Sequence, residues 1–178
     1  MIDADRDLLD RLLLGDVRAL EVLVERYQIP VYRLAYRMTG NRADAEDIAQ
    51  EAFVRAFRSL PGFRRASSLK TWLFRIAINL ALDHRRRHDA AGQPTLEWAD
   101  APASTDPVEE REHQEALHEA IAGLPPVQRA TVTLRIVHDL SLKEIGEIMG
   151  AQIGTVKANY HHAVSRLRLL VRERFVRT

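Results

Sequence analysis

The sequence predicts an all-α protein: two small helical bundles joined by a flexible acidic linker, the second bundle carrying a helix-turn-helix. Three observations predict it. Apolar residues recur at spacings of three and four, and no alternating run of any weight suggests a strand. Periodicity is lost over 89–110, DAAGQPTLEWADAPASTDPVEE, where three prolines, small residues and acids describe a tether. Residues 141–168, SLKEIGEIMGAQIGTVKANYHHAVSRLR, read as a short capped helix, a tight turn and a longer helix. The expected division is therefore a first module over 1–88, a linker over 89–110 and a second module over 111–178.

In the first module, Leu8, Leu9, Leu12 and Leu13 give an amphipathic helix that Gly15 stops. Asp16 can cap the next, whose stripe runs Leu20, Leu23, Val24, Tyr27, Val31, Leu34, Ala35 and Met38. Pro30 is expected to kink or break it, and Gly40-Asn41 closes the unit. A third helix follows over 43–60, with Asp44 as expected N-cap. Ile48, Ala52, Phe53, Ala56, Phe57 and Leu60 form its buried side, and Asp44, Asp47, Gln50, Glu51 and Arg55 its outer face. Pro61-Gly62 ends it.

The next stretch is basic. Six positive residues and no acid lie between Arg55 and Arg75. Ser68 is expected to cap a helix with the stripe Leu69, Trp72, Leu73, Ile76, Ala77 and Leu80, ending in Arg85-Arg86-Arg87. Charge at a helix C-terminus is favourable in itself, which accounts for the triplet. A basic loop, the aromatic candidates Phe63, Trp72 and Phe74, and Asn79 on one helix are also the parts of a single-strand site. Such sites stack bases on rings while cations track the backbone.

From Glu97 to Glu119 there are eight acids and one arginine, a net charge of −7. Leu96 and Trp98 are unusual in a tether and could dock on a module. Leu117, Ile121 and Leu124 line a helix that Gly123-Leu124-Pro125-Pro126 breaks, and Pro126 suits the first turn of the next. There Val127, Ala130, Leu134 and Val137 are expected to pack against the helix-turn-helix pair.

Ser141 and Glu144 form a capping box. Leu142, Ile145, Ile148 and Met149 share one side of the short helix, and Gly150 offers a left-handed stop. The longer helix opens near Thr155 with the inner stripe Val156, Tyr160, Ala163, Val164, Leu167 and Val171. Its outer face carries Thr155, Lys157, Asn159, His161, His162, Ser165, Arg166 and Arg168. Six Lys or Arg stand against Glu173 between Ala151 and Thr178. That excess is what phosphate contacts need, and such a helix is shaped for the major groove.

Composition bounds the remaining choices. The chain has 178 residues, 46% apolar and 29% charged, and a net charge of only +1, so the segregation of sign along it carries the information. It has no cysteine, which excludes disulfides and thiolate metal sites and suits a reducing cytosol. The acidic start MIDADRDLLD lacks the apolar core of a signal peptide. No apolar run approaches the roughly 20 residues that span a bilayer. His84 and His88 lie one helical turn apart, but one such pair without a carboxylate cluster does not make a metal or catalytic site. No cofactor, metal or catalytic residue is expected.

The order and spacing of several segments resemble the extracytoplasmic-function (ECF) group of bacterial sigma factors. They are DAEDIAQEAFVRAFRSL, the basic loop, TWLFRIAINLALDHRRR, GLPPVQR, LSLKEIGEIMG and GTVKANYHHAVSRLR. The resemblance covers most of the chain. It implies that Asp44, Asp47, Gln50 and Glu51 dock on the β′ coiled coil of core RNA polymerase, with the β flap a second contact. It implies promoter −10 recognition and melting through Phe63, Arg64, Arg65, Ser67, Ser68, Lys70, Trp72 and Asn79. Recognition of the −35 element falls to Thr155, Lys157, Ala158, Asn159, His161, His162 and Arg166. The usual pattern there is richer in Ser and Arg than Ala158, Asn159 and His162, so the promoter sequence does not transfer. An anti-sigma partner and a cytoplasmic location are also implied, nucleoid-associated or held at the membrane through that partner, with no direct membrane insertion. The alternative is a stand-alone helix-turn-helix regulator, which would bind duplex without polymerase; the expected base-capture loop argues against it.

Overall fold

A computed structural model describes residues 2–63, 67–91 and 119–176, and all regular structure among them is helical. Helix α1 spans Ile2–Leu13 and ends at Gly15, whose φ of +78° is a left-handed backbone open to glycine. Leu8, Leu9 and Leu12 are buried, but Leu13 turns outward because the stripe has rotated off the core face by then. Asp16 caps α2 (Val17–Thr39), accepting the Arg18 amide at 2.9 Å. The neighbouring Arg11 guanidinium holds the Asp16 carboxyl below its ordinary range.

Pro30 does not break α2, which runs continuously past it to Thr39. Proline removes one helical hydrogen bond, yet Leu23 and Tyr27 before it and Val31 and Leu34 after it are all buried in one core. Packing on both sides of the proline holds the two halves in register. Gly40, with φ +70°, terminates the helix and donates to the Tyr36 carbonyl at 2.7 Å.

Helix α3 spans Arg42–Ser59, and its N-cap is Asn41 rather than Asp44. The Asn41 side chain accepts the Asp44 amide at 3.1 Å, leaving Asp44 inside the first turn, where negative charge still suits the helix end. A 3₁₀ turn over Leu60–Gly62 leads out. Helix α4 spans Leu69–Ala90, capped by Ser68 as expected, and continues two residues past the predicted module end. Phe74 is wholly buried on it, not an exposed stacking ring. It falls one position after Leu73, where α4 is covered on a second side.

The chain is next described at a helical turn over 119–122, followed by α5 (Pro126–Val132) with Pro126 in its first turn. Val127 faces solvent rather than the helix-turn-helix. A π-helical turn over Thr133–Val137, which the periodicity did not announce, carries the chain to α6 (Leu142–Met149) and α7 (Ile153–Val176). A small cluster of Ile121, Leu124, Val132, Ala163 and Leu167 ties α7 to the 119–122 turn and α5. The expectations for Leu96, Trp98, Leu117 and the tether from 92 onward lie outside the described residues, as does the side chain of Val171.

The larger core does not stop at the first bundle. Buried residues of α1 to α4 continue into Ala130, Leu134, Leu140, Ile145, Ile148 and Val156. The two bundles therefore abut along a seam, with α4 against α6 and α2 against α5 and the π turn.

Candidate nucleic-acid interface

The helix-turn-helix is built by two short-range devices. At its start, the Ser141 hydroxyl accepts the Glu144 amide at 3.2 Å and the Glu144 carboxylate accepts the Ser141 amide at 2.8 Å. The Ser141 hydroxyl also donates to the Glu144 carboxylate at 2.6 Å, and this bond first, with that of the Ser141 amide, lowers the affinity of the Glu144 carboxyl for its proton. At its turn, Gly150 sits at φ +61°, and the Ala151 amide donates to the Gly146 carbonyl at 3.0 Å. A β-carbon on Gly146 would stand 2.8 Å from the Ala151 carbonyl oxygen, so only glycine allows the chain to fold back this closely. Val156, Ile145 and Ile148 then bury the inside of the angle.

That packing presents the other face of α7. Thr155, Lys157, Ala158, His161, His162 and Arg166 are exposed, and Asn159 is half-buried beside them. The His161 and His162 rings meet edge to face with centroids 6.4 Å apart. The face offers hydroxyl, amide and imidazole groups for base edges and cations for phosphates.

The first module offers a different surface. Phe63 and Trp72 form a tilted ring pair with centroids 4.8 Å apart, both half-buried against the core. Asn79 is exposed two turns beyond Trp72 on the same side of α4. Ser68 accepts the Thr71 amide at 3.0 Å and donates to the Thr71 hydroxyl at 2.8 Å, fixing the start of α4. Ser67 lies half-buried just ahead of that cap. Arg64 and Arg65 lie outside the described residues.

Lys70 is engaged elsewhere. Its ammonium donates to the His138 carbonyl of the second module at 3.2 Å and lies 5.6 Å from the centre of the Phe74 ring. The His138 ring meets Phe74 edge-on at 4.8 Å. Burial, followed by Lys70, Arg37 and Arg33, lowers its pKa to about 4.

The acidic residues of α3 divide. Asp47 and Gln50 are exposed, whereas Glu51 pairs with Arg55 at 2.8 Å. Asp44 reaches the His84 imidazole at 3.4 Å. Beside Gln50 lies a feature the sequence reading missed: an apolar groove of about 340 Å³ between α2 and α3, lined by Val24, Ile29, Tyr32, Ala49, Gln50 and Phe53. Its one signal was Ile29, which stands off the inner stripe of α2 and is exposed. No group of His, Asp and Glu able to hold a metal occurs among the described residues.

The fold and its two surfaces define a two-bundle helix-turn-helix protein. The family model of Sigma-70 region 2 matches residues 23–91, and that of Sigma-70, region 4 matches 114–167. The ECF RNA polymerase sigma factor SigW of Bacillus subtilis is 37% identical over 172 residues, covering 89% of this chain and 92% of the relative. The ECF RNA polymerase sigma factor SigE of Mycolicibacterium smegmatis is 38% identical over 163 residues, covering 86% of this chain and 63% of the relative. The RNA polymerase sigma-H factor of Pseudomonas aeruginosa is 34% identical over 174 residues, with 90% of each chain covered. Among solved structures, CnrH in complex with the cytosolic domain of CnrY aligns at a TM-score of 0.76 and 22% identity, over 96% of this chain and 98% of that one. The sigma factor RpoE of Bartonella quintana, in complex with the anti-sigma factor NepR, aligns at 0.72 and 24% identity, over 85% and 96%. The chain belongs to the ECF sigma factors of the sigma-70 family.

Proposed function

We propose that this chain is an alternative sigma factor that directs core RNA polymerase to specific promoters and starts transcription there. The observation that carries the reading is the exposed face of α7, held outward by a buried inner stripe and a glycine-locked turn. Thr155, Lys157, Ala158, Asn159, His161, His162 and Arg166 read the −35 duplex through its major groove. The first module takes the −10 element: Phe63, Trp72 and Asn79 hold an unstacked base, while Arg64, Arg65, Ser67, Ser68 and Lys70 follow the backbone. A base held in a pocket biases the duplex towards opening. The chain itself makes and breaks no bond; it selects the start site and the polymerase supplies the chemistry.

Asp44, Asp47, Gln50 and Glu51 dock on the β′ coiled coil of the polymerase, and the second module contacts the β flap. The exposed charges of α3 and the apolar groove beside Gln50 support docking at this surface, since a charged rim around an apolar centre suits a partner helix. Control by an anti-sigma factor follows from the family, and Bartonella quintana RpoE was solved with such a partner. The protein works in the cytoplasm; no helix among the described residues is long and apolar enough to cross a membrane.

Run-off transcription with core polymerase on a promoter library tests the reading. Transcripts starting downstream of one recurring pair of motifs are expected. Duplex binding without any polymerase-dependent start would leave a stand-alone regulator instead.

A further inference from the structure

Cations gather along the seam, and several of them end on main-chain carbonyls. Arg75 donates to Glu147 O. Arg129, only 2% exposed, donates through Nη1 to Met38 O at 2.9 Å, and through Nη2 to Ala122 O and to Leu124 O at 3.3 Å. Lys70 spends one of its three donors on His138 O at 3.2 Å. Arg33 and Arg37 differ from these. They stand one turn apart on α2, which packs against the π turn. Neither has a hydrogen bond or an ion pair among the described residues. Nη1 of Arg37 is shielded from solvent without a partner, and so is Nε2 of His138 at the end of the π turn.

Among the described residues no acid pairs with this group. The charges acting on His138 are Lys70, Arg37 and Arg33, and the charge acting on Arg37 is Arg33, all of them positive. Glu144 acts on Lys70, but its carboxylate is held by the Ser141 amide and hydroxyl. Asp139 is exposed, with its carboxylate 3.9 Å from Arg135. Like charges one helical turn apart destabilise a helix, and a shielded donor without a partner costs more. One counter-charge placed among the four groups would relieve all of these costs at once.

We propose that Arg33, Arg37, Lys70 and His138 form an anion site that takes a phosphate group of a small free solute. A tetrahedral phosphate presents oxygens in several directions, so two guanidinium forks, an ammonium and an imidazole N–H can share it. Arg33 is exposed, which leaves the cluster open on that side, whereas Arg37, Lys70 and His138 are half-buried. That depth suits a small solute better than a strand. The phosphates of a polymer backbone would meet Arg33 but not the shielded nitrogens of Arg37 and His138. The site does not depend on the promoter reading.

Inorganic pyrophosphate and ADP are the probes, titrated into the full-length chain at an ionic strength held constant with chloride. NMR of the histidine rings reads the result. The His138 signal should move to saturation with either probe. Its titration midpoint should rise by about half a pH unit or more, because an anion favours the charged imidazole. Arg33→Met, at an exposed position, should weaken both probes about tenfold. Arg18→Met, an exposed arginine in the first turn of the same helix, should bind them as the wild type does. Equal affinities for the two probes would assign the phosphates alone; tighter ADP binding would add a contact to the nucleoside. The site is refuted if neither probe gives a saturable shift at His138, or if Arg33→Met binds as tightly as the wild type. It is equally refuted if only an abasic single-stranded oligonucleotide moves the signal, which would make these cations part of a nucleic-acid surface.

Discussion

The Arg129 guanidinium lies 2.9 Å from the carbonyl oxygen of Met38, 91 residues earlier in the chain. Burial, with Arg85 second, lowers its pKa to about 10, so it remains charged at neutral pH. Arg129→Ala strips a charged donor from three carbonyls at once. Leaving a buried polar group unpaired costs about 1–3 kcal/mol, so the expected loss is about 3 kcal/mol or more. Arg129→Lys should recover part of it. Urea denaturation of the full chain measures both; a loss near zero for Arg129→Ala would show that water replaces the guanidinium freely.

His138 gives the seam a pH dependence. Its pKa falls from 6.5 to about 4 on folding. The unfolded chain therefore takes up a proton between these values while the folded chain does not. The contribution is complete above about 6.5 and is lost progressively as pH falls towards about 4. The groups facing it (Lys70, Arg37 and Arg33) are all positive and act in the same direction. Denaturation midpoints at pH about 7.5 and about 5.5 should differ in the wild type and differ less in His138→Phe. Equal differences would move the effect to another histidine.

Three glycines of the second module should respond differently to alanine. A methyl on Gly146 meets the Ala151 carbonyl at 2.8 Å, whereas one on Gly154 meets nothing within 4 Å. Gly146→Ala should cost about 1–3 kcal/mol, as overpacking does. Gly150→Ala, at φ +61°, should cost about 1 kcal/mol of backbone strain. Gly154→Ala should be neutral or stabilising by about 0.4–1 kcal/mol. Thermal unfolding of the three variants separates these outcomes, and an equal loss at all three would contradict the geometry.

On the outward face of α7, proposed to read the −35 element, Asn159 is half-buried between exposed Lys157 and His161. Asn159→Ala should change the preferred −35 sequence, each lost base contact being worth roughly 1–3 kcal/mol. Lys157→Ala should weaken all sequences alike and flatten the salt dependence. Selection from a randomised duplex pool distinguishes them; an unaltered motif for Asn159→Ala would remove that side chain from recognition.

Arg64, Arg65 and Lys70 crowd a stretch of sequence without acids. Replacing all three with Ala should reduce open-complex formation more than −35 binding. Permanganate footprinting of melted thymines compared with duplex binding measures the ratio, and unchanged melting would sink the assignment of that loop.

Most of this architecture was legible because each helix carries its own punctuation. Asp16, Ser68 and Ser141 are side-chain caps where the sequence suggested them, and Gly15, Gly40 and Gly150 take the left-handed backbone. Local chemistry misled where tertiary packing intervened: Pro30 is carried through by buried neighbours, and Phe74 is covered by a partner more than 60 residues away, His138. Asn41 took the cap from Asp44 because an Asx side chain three residues before an amide competes equally well. The outward face of α7 followed from its inner stripe. The seam could not be foreseen, because its acceptors are main-chain carbonyls, which every residue possesses and no motif marks.

That anonymity makes the seam's exposure to mutation lopsided. Met38, His138 and Glu147 each receive their cation through the peptide unit. Codon changes there leave the acceptor oxygen in place, so drift at those positions is largely silent for the contact. Only the donor codons at 70, 75 and 129 can abolish it by substitution. A lineage could loosen or tighten the junction by single nucleotide changes at three places, without altering the exposed face of α7.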